Sequence, residues 1–284
     1  MMELPAAQPF DFAPALRFLG HFPPTEGEQR AGQGTLTKAF RVEGRTVLAR
    51  LTELDGHAGL RCEHDEKLPA EVRAALADRV SFYLSLDDDL TGFYDLGRAD
   101  PAFAPVIEEL HGYHQVKFPT PLESLFWAVL AQRTPLRGAA NAKRAFMTAF
   151  GEEAGGHLAF PDLAQVLELS PERMTELAAN KVKGKRLYDA VRGWAEVDED
   201  FLRHAPQADV DAFLRSLPGI GPWASSFILI RGLGRMAATP LDKPLLDAAR
   251  RHYGSGLAEP EMLKFAEGYG PWQGYWAHYL RAAG

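Results

Sequence analysis

Apolar residues recur along this chain at two spacings, and the change from one to the other divides it. In Thr35-Leu36-Thr37-Lys38-Ala39-Phe40-Arg41-Val42 polar and apolar positions alternate, Glu43-Gly44 supplies a turn, and Thr46-Val47-Leu48-Ala49-Arg50-Leu51 leads back. Alternation on both sides of a two-residue turn predicts a β-hairpin, and a third strand is expected near 58–62. Before it, Phe10, Phe12, Leu16 and Leu19 mark an element packed early in the fold. After it, Pro69 opens a helix to about Tyr83 with Val72, Leu76 and Val80 on one face.

From Pro119 onward only helical spacing is found. Leu122, Leu125, Phe126, Val129 and Leu130 predict a buried helix to Gln132, which Arg133-Thr134-Pro135 interrupts. Further helices are expected at 139–150, 171–179, 184–197 and 210–217, and after Asp242, where Leu245, Leu246 and Ala249 share a face. Two aromatic-rich segments, 261–269 and 272–280, close the chain. Residues 90–118 read as a linker region. The expected architecture is α+β: an N-terminal domain, 1–116, with a small antiparallel sheet and helices, followed by an all-helical domain, 117–284.

Composition changes this picture little. The chain has 284 residues, 46% hydrophobic and 24% charged, as in ordinary globular proteins. It lacks an apolar run of the roughly eighteen residues a membrane span needs, and Met1-Met2-Glu3-Leu4-Pro5 is neither basic nor apolar, so a cytoplasmic protein is expected. The single cysteine, Cys62, excludes an intrachain disulfide and a four-cysteine metal or iron–sulfur site, and its place in Leu60-Arg61-Cys62-Glu63 makes it a small buried side chain.

Charge matters more. A net charge of −7 disfavours a nucleic-acid partner unless it is unevenly placed, and it is. Residues 1–116 hold 11 Lys+Arg against 19 Asp+Glu, whereas residues 117–284 hold 20 against 19. The near-neutral second part is compatible with modest phosphate binding. Asp87-Asp88-Asp89 reads as a solvated, helix-starting loop, because ligands on adjacent residues do not converge on a metal. Lys181, Lys183, Lys185 and Arg186 put four cations in the loop expected at 180–186, either merely solvated or facing phosphate. No P-loop, dinucleotide glycine motif or H-E-x-x-H occurs.

The candidate chemistry starts at Leu217-Pro218-Gly219-Ile220-Gly221-Pro222-Trp223, where two helical patterns meet. Gly219 and Gly221 allow a tight turn and close backbone approach, Pro222 suits a first helical position, and amides exposed at a helix start favour an anion. Glycines that merely let two helices pack would leave the same pattern. Nineteen positions after Trp223 stands Asp242, in Thr239-Pro240-Leu241-Asp242-Lys243-Pro244, as a helix N-cap, a catalyst, or both.

With this hairpin and aspartate the chain resembles the helix-hairpin-helix DNA glycosylase superfamily. Bifunctional members have a lysine where Trp223 stands. That difference, with Pro9-Phe10-Asp11-Phe12, Phe118-Pro119-Thr120-Pro121 and the segment 270–281, makes the chain similar to the 3-methyladenine DNA glycosylase II (AlkA-type) branch. The resemblance implies a monofunctional enzyme that excises alkylated bases such as 3-methyladenine and 7-methylguanine from double-stranded DNA in base excision repair. It implies no required cofactor and no metal held by side chains, but a monovalent cation on hairpin carbonyls. No membrane and no obligate protein partner are expected, and association with the nucleoid is.

By the same resemblance Asp242 stabilises the positive charge that builds on the sugar and positions water; Trp223, Phe227, Lys243 and Arg281 line the base pocket; Gly219 and Gly221 hold phosphate; and Gln132 and Arg133 lie where a side chain enters the duplex. An alkylated purine already carries positive charge and leaves without a general acid, so one carboxylate suffices. A flipped base is read by stacking, which Trp223 and Phe227, four apart on one helix face, can provide. Lys243 and Arg281 depart from relatives, which tend to have aromatic residues there. Fewer ring faces weaken selection for cationic bases and admit neutral lesions such as ethenoadenine or hypoxanthine. Two alternatives stand beside this reading: a non-catalytic helix-hairpin-helix DNA-binding protein in which Asp242 only caps a helix, and a glycosylase for oxidised or deaminated bases, with Lys243 offering an amine.

Overall fold

The computed structural model describes residues 1–284 except Glu26, Asp65, Glu66, Pro240 and Gly284. Its first part consists of β1 (Met2–Pro5), α1 (Phe12–Gly20), β2 (Gln29–Gly32), β3 (Thr35–Val42), β4 (Arg45–Glu53), β5 (Gly59–Glu63) and α2 (Ala70–Leu84). The expected hairpin is β3 and β4, with Val42 opposite Arg45 across a turn whose two residues both have positive φ, as this tight turn requires. The expected third strand is β5. The antiparallel sheet is wider than expected, in the order β1-β5-β4-β3-β2. Its edge strands have four residues each and are defined by pairing, Leu4 opposite Leu60 and Ala31 opposite Leu36, rather than by a periodicity of their own. Cys62 is buried on β5, and burial pushes its thiol up to about 12.

Residues 90–118 are not a linker. They form α3 (Thr91–Ala99), α4 (Ala104–Glu109) and an extended buried stretch, Tyr113–Phe118. Phe93 lies 4.9 Å from the ring of Tyr279, and Tyr279 donates to the Tyr113 carbonyl at 2.6 Å. Those partners come from the other end of the chain, so the order of this segment is set by packing and not by a periodicity of its own. Asp87, Asp88 and Asp89 each take a different partner, Ser81, Tyr275 and Thr91 respectively. Among the described residues no three His, Cys, Asp or Glu side chains are placed to hold a metal ion.

The chain continues with α5 (Pro121–Leu130), α6 (Leu136–Phe150), a short hairpin of β6 (Glu153–Ala154) and β7 (His157–Leu158), α7 (Leu163–Leu167), α8 (Pro171–Leu177), α9 (Lys181–Trp194), α10 (Glu199–His204), α11 (Gln207–Ser216), α12 (Pro222–Phe227), α13 (Lys243–Tyr253), α14 (Glu259–Gly268) and α15 (Gln273–Ala282). A π-helical turn, Ile228–Gly232, extends α12. All ten residues of α5 are buried, and it packs against α6, α9, α12 and the π-helical turn, in the cluster that holds Phe146, Met174, Leu187, Leu214 and Ile228. No helix of the described residues is long and apolar enough to cross a membrane.

Packing does not stop at the expected division between 116 and 117. One buried cluster runs from the sheet through α3 and α4 into Tyr275, Trp276 and Tyr279 of α15; the other is made by residues 118–233. The segment 180–186 is also not a loop. Asn180 caps α9, accepting from the amides of Val182 and Lys183 at 3.0 Å, and the basic residues occupy its first two turns. Gly184 lets the start of α9 lie close against α8: a Cβ there would lie 2.3 Å from Thr175 Cα.

Candidate active site and nucleic-acid interface

Helices α11 and α12 meet at the predicted hairpin. Leu217 and Ile220 point into the core, and the Ile220 amide donates to the Leu217 carbonyl at 3.1 Å, closing the turn. Gly219 sits at φ 86°, where a side chain is strained, and a Cβ would also meet Arg186 Cδ at 2.7 Å. Gly221 has an ordinary φ of −93° and open space around it. Among the described residues no backbone carbonyl accepts from either glycine's amide. These donors remain available to an anion at the start of α12.

The hairpin forms one wall of an open groove of about 1030 Å³, and the turn Ala131–Thr134 with the start of α9 forms the other. Its lining carries Arg133, Lys183, Arg186 and Arg215 and not one carboxylate, in a chain whose net charge is −7. A concave surface of one sign focuses potential and draws in a polyanion. Arg133 is exposed and holds a left-handed backbone, φ 50°, at the apex of its turn. Gln132 does not project from it, but donates to the Gly219 carbonyl at 2.8 Å and accepts from Arg186 at 3.2 Å.

Trp223 and Phe227 stack, with centroids 5.4 Å apart and planes 22° from parallel. Phe227 continues edge-on to Phe118 at 5.9 Å, Phe118 to Phe22 at 5.8 Å, and Phe22 to Phe18 at 4.8 Å. Phe18 in turn meets His278 of α15 at 5.1 Å. A continuous aromatic path therefore joins the hairpin to the terminal helix, and apart from Phe118 its phenylalanines and Trp223 are only partly buried. Behind it Arg231 lies 5.0 Å from both the Phe18 and the Phe22 ring and donates to His278 at 3.1 Å. Burial pulls Arg231 down to about 10, and burial with the Arg231 charge holds His278 well below its usual range, so that imidazole is neutral.

Arg281 stands one turn beyond His278 and donates to Asp242 Oδ1 at 2.9 Å. The same oxygen accepts from the Leu245 amide at 2.9 Å, which makes Asp242 the N-cap of α13. Asp242 is thus fixed from two sides. Lys243 is 83% exposed and pairs with Asp247 one turn along its own helix. Pro240, in the approach to Asp242, lies outside the described residues.

The structure brings the predicted residues together in three groups: Trp223 with Phe227, Gln132 with Gly219, and Asp242 with Arg281. The pattern missed Phe18, Phe22, Phe118, Arg231 and the inward role of α9. Phe18, in the last turn of α1, and Phe22, just beyond it, lie four apart, a legible signal without a legible partner.

No family model matches the chain. It is 27% identical over 217 residues to a DNA-3-methyladenine glycosylase of Bacillus subtilis, covering 73% of this chain and 72% of that protein. It is 24% identical over 286 residues to a probable bifunctional transcriptional activator/DNA repair enzyme AlkA of Mycobacterium tuberculosis, covering 98% of this chain but 56% of that longer protein. The 3-methyladenine DNA-glycosylase of Archaeoglobus fulgidus superposes with a TM-score of 0.80 at 18% identity, over 99% of this chain and 96% of the other.

The chain is a homologue of the 3-methyladenine DNA glycosylases and shares their fold. The sheet, the helical hairpin and the helices that carry Asp242 and Arg281 are parts of that glycosylase fold, not local accidents of the sequence. The α+β class expected from the two spacings is likewise that of the glycosylase fold.

Proposed function

We propose that the chain is a monofunctional DNA glycosylase that hydrolyses the N-glycosidic bond of alkylated bases, of the 3-methyladenine and 7-methylguanine type, in double-stranded DNA. The observation that carries the enzymatic part is the fixed carboxylate of Asp242, with both of its hydrogen bonds on Oδ1. This leaves Oδ2 for the sugar and the attacking water.

In this reading the acid-free groove holds the phosphate backbone, with the Gly219 and Gly221 amides on one phosphate and Arg133 entering the gap that the extruded nucleotide leaves. The base stacks on the Trp223 and Phe227 rings. As the base departs with the bonding electrons, positive charge builds on the sugar beside Asp242, which is already oriented and needs no rearrangement. The cationic alkylated base leaves as the neutral free base, water adds at C1′ and its proton passes by way of Asp242 Oδ2 to solvent, and an abasic site remains. Trp223 has no amine, and the Lys243 ammonium is engaged by Asp247, so no Schiff base forms and the strand stays intact. Arg281, which lies on Asp242 where relatives tend to have a ring, weakens the preference for cationic bases relative to neutral lesions such as ethenoadenine or hypoxanthine.

The direct test is incubation with methylated duplex DNA: release of 3-methyladenine and 7-methylguanine above the spontaneous rate, without strand cleavage, is expected. Release at only the spontaneous rate would remove the enzymatic reading and leave a DNA-binding protein.

Gly221 offers a test of the phosphate contact that spares the fold, since its φ suits any residue and nothing lies within 4 Å of an added Cβ. Gly221→Leu is expected to weaken binding to all DNA sequences alike and to flatten its dependence on log salt by about one unit. A variant with normal circular dichroism and unchanged affinity would show that the hairpin touches no phosphate.

A further inference from the structure

The turn that presents Arg133 and the hairpin that presents Gly219 are far apart in the chain, and a single side chain joins them. Gln132 donates through Nε2 to the Gly219 carbonyl at 2.8 Å, while its Oε1 accepts from Arg186 Nη1 at 3.2 Å. A primary amide meets a carbonyl and a guanidinium together in one orientation only, because only its nitrogen donates and only its oxygen accepts. Gln132 is therefore committed across the groove, and its neighbour Arg133 faces outward. The stem of Arg186 lies along the hairpin turn, close enough that a Cβ on Gly219 would meet its Cδ at 2.7 Å.

The same turn is held from beneath by Lys183. Its ammonium donates to the carbonyl of Leu130, the last residue of α5, and to the hydroxyl oxygen of Thr134, which in turn donates to the Gln132 carbonyl at 3.2 Å. Carbonyls at a helix end lack partners within the helix and attract a cation. Lys183 is buried, and its hydrogen-bond partners include no carboxylate; burial, followed by the Arg186 charge, lowers its pKa. Burying an ammonium without a counter-ion is unfavourable in itself. The groups it serves lie on either side of the Gln132-Arg133 turn, which is where the protein gains from placing it.

We propose that Gln132 and Lys183 are positioning residues that set the spacing between Arg133 and the hairpin, so that the grip on phosphate and the entry of Arg133 into the duplex occur in one fixed register. The consequence for catalysis rests on the glycosylase reading above; the mechanical link does not. Extruding a nucleotide requires the backbone to be held while the vacated gap is filled. If the two walls move independently, phosphate is still bound but the extruded state is less populated.

Three variants separate the contacts. Gln132→Glu keeps an acceptor for Arg186 and removes the donor to Gly219, Gln132→Leu removes both, and Lys183→Met keeps the length of the side chain without its charge. In DNA-free protein, amide hydrogen exchange is expected to quicken across 217–223 in both Gln132 variants and across 131–135 in Lys183→Met. On a duplex carrying 7-methylguanine beside 2-aminopurine, the fluorescence rise that reports extrusion should shrink. Single-turnover excision should slow about ten- to hundred-fold, and in Gln132→Leu, which leaves the charge of the groove unchanged, Kd should stay within about two-fold, the pattern expected when reacting groups are misplaced rather than lost. Lys183→Arg, which can still donate to both partners, should recover much of the rate. Unchanged exchange and extrusion in the folded variants overturn the link. So does a Kd that rises in step with the loss of rate in Gln132→Leu, which would make Gln132 a DNA contact. A wild-type protein that releases no base ends the glycosylase reading, while the exchange measurement still decides the link.

Discussion

Replacing Asp242 by asparagine is expected to slow base excision about 100- to 1000-fold while leaving DNA affinity nearly intact, the scale on which one preorganised electrostatic group contributes to a rate. The structure makes this substitution a clean probe. Both hydrogen bonds to Asp242, from the Leu245 amide and from Arg281, end on Oδ1, and the amide oxygen of asparagine can accept both. Asparagine is also as good an N-cap as aspartate, so α13 keeps its start. What disappears is the negative charge beside the sugar. Single-turnover excision from a methylated duplex, with Kd measured on the same duplex, separates charge from fold. A rate near that of the wild type would leave Asp242 as a cap alone and favour the non-catalytic alternative.

The largest effect on stability is expected at Lys143, far from the chemistry. Its side chain is fully buried, with the ammonium 2.6 Å from Glu28, 2.6 Å from Glu123 and 3.0 Å from the Pro24 carbonyl. Lys38 completes the group at 3.8 Å from Glu28, since it shares the core-facing side of β3 with Leu36, Phe40 and Val42. Two lysines and two glutamates thus balance one another between the first part of the chain and helices α5 and α6. Burial acts to lower the pKa of Lys143, and Glu123 and Glu28 more than reverse it; burial raises Glu28 and lowers Lys38. Lys143→Met leaves two buried carboxylates with one more distant cation, and loss of one partner from a buried ion pair typically costs about 3–5 kcal/mol. For a chain of this size that corresponds to a fall in Tm of roughly 10 °C. Adding Glu28→Gln and Glu123→Leu to Lys143→Met should recover much of the loss, because apolar or neutral replacements remove the stranded charges together. Thermal unfolding of both proteins checks this, and a single variant as stable as the wild type would mean that water reaches the group.

The parts legible in the sequence are those whose physics is local. Alternation in 35–51 specified a hairpin because side chains on a strand point to opposite faces in turn. Gly219 and Pro222 specified a turn between helices because backbone conformation is decided residue by residue, whereas Gly221 holds a φ that any residue adopts. Asp242 before Lys243-Pro244 marked a helix start for the same reason.

What tertiary structure alone decided depends on partners far along the chain. The edge strands β1 and β2 exist through the strands beside them. The segment 90–118 became helices because Phe93 and Tyr113 meet Tyr279, and the first turns of α9 lie against α8 because Gly184 fits beside Thr175. Phe18, Phe22 and Phe118 form one path only when three segments converge, and Lys38 is legible as an exposed strand cation until Glu28 and Lys143 arrive beside it. The Asp242–Arg281 pair and the Gln132 bridge follow the same rule: each side chain has a local preference, but its partner is set by packing, which no window of sequence contains.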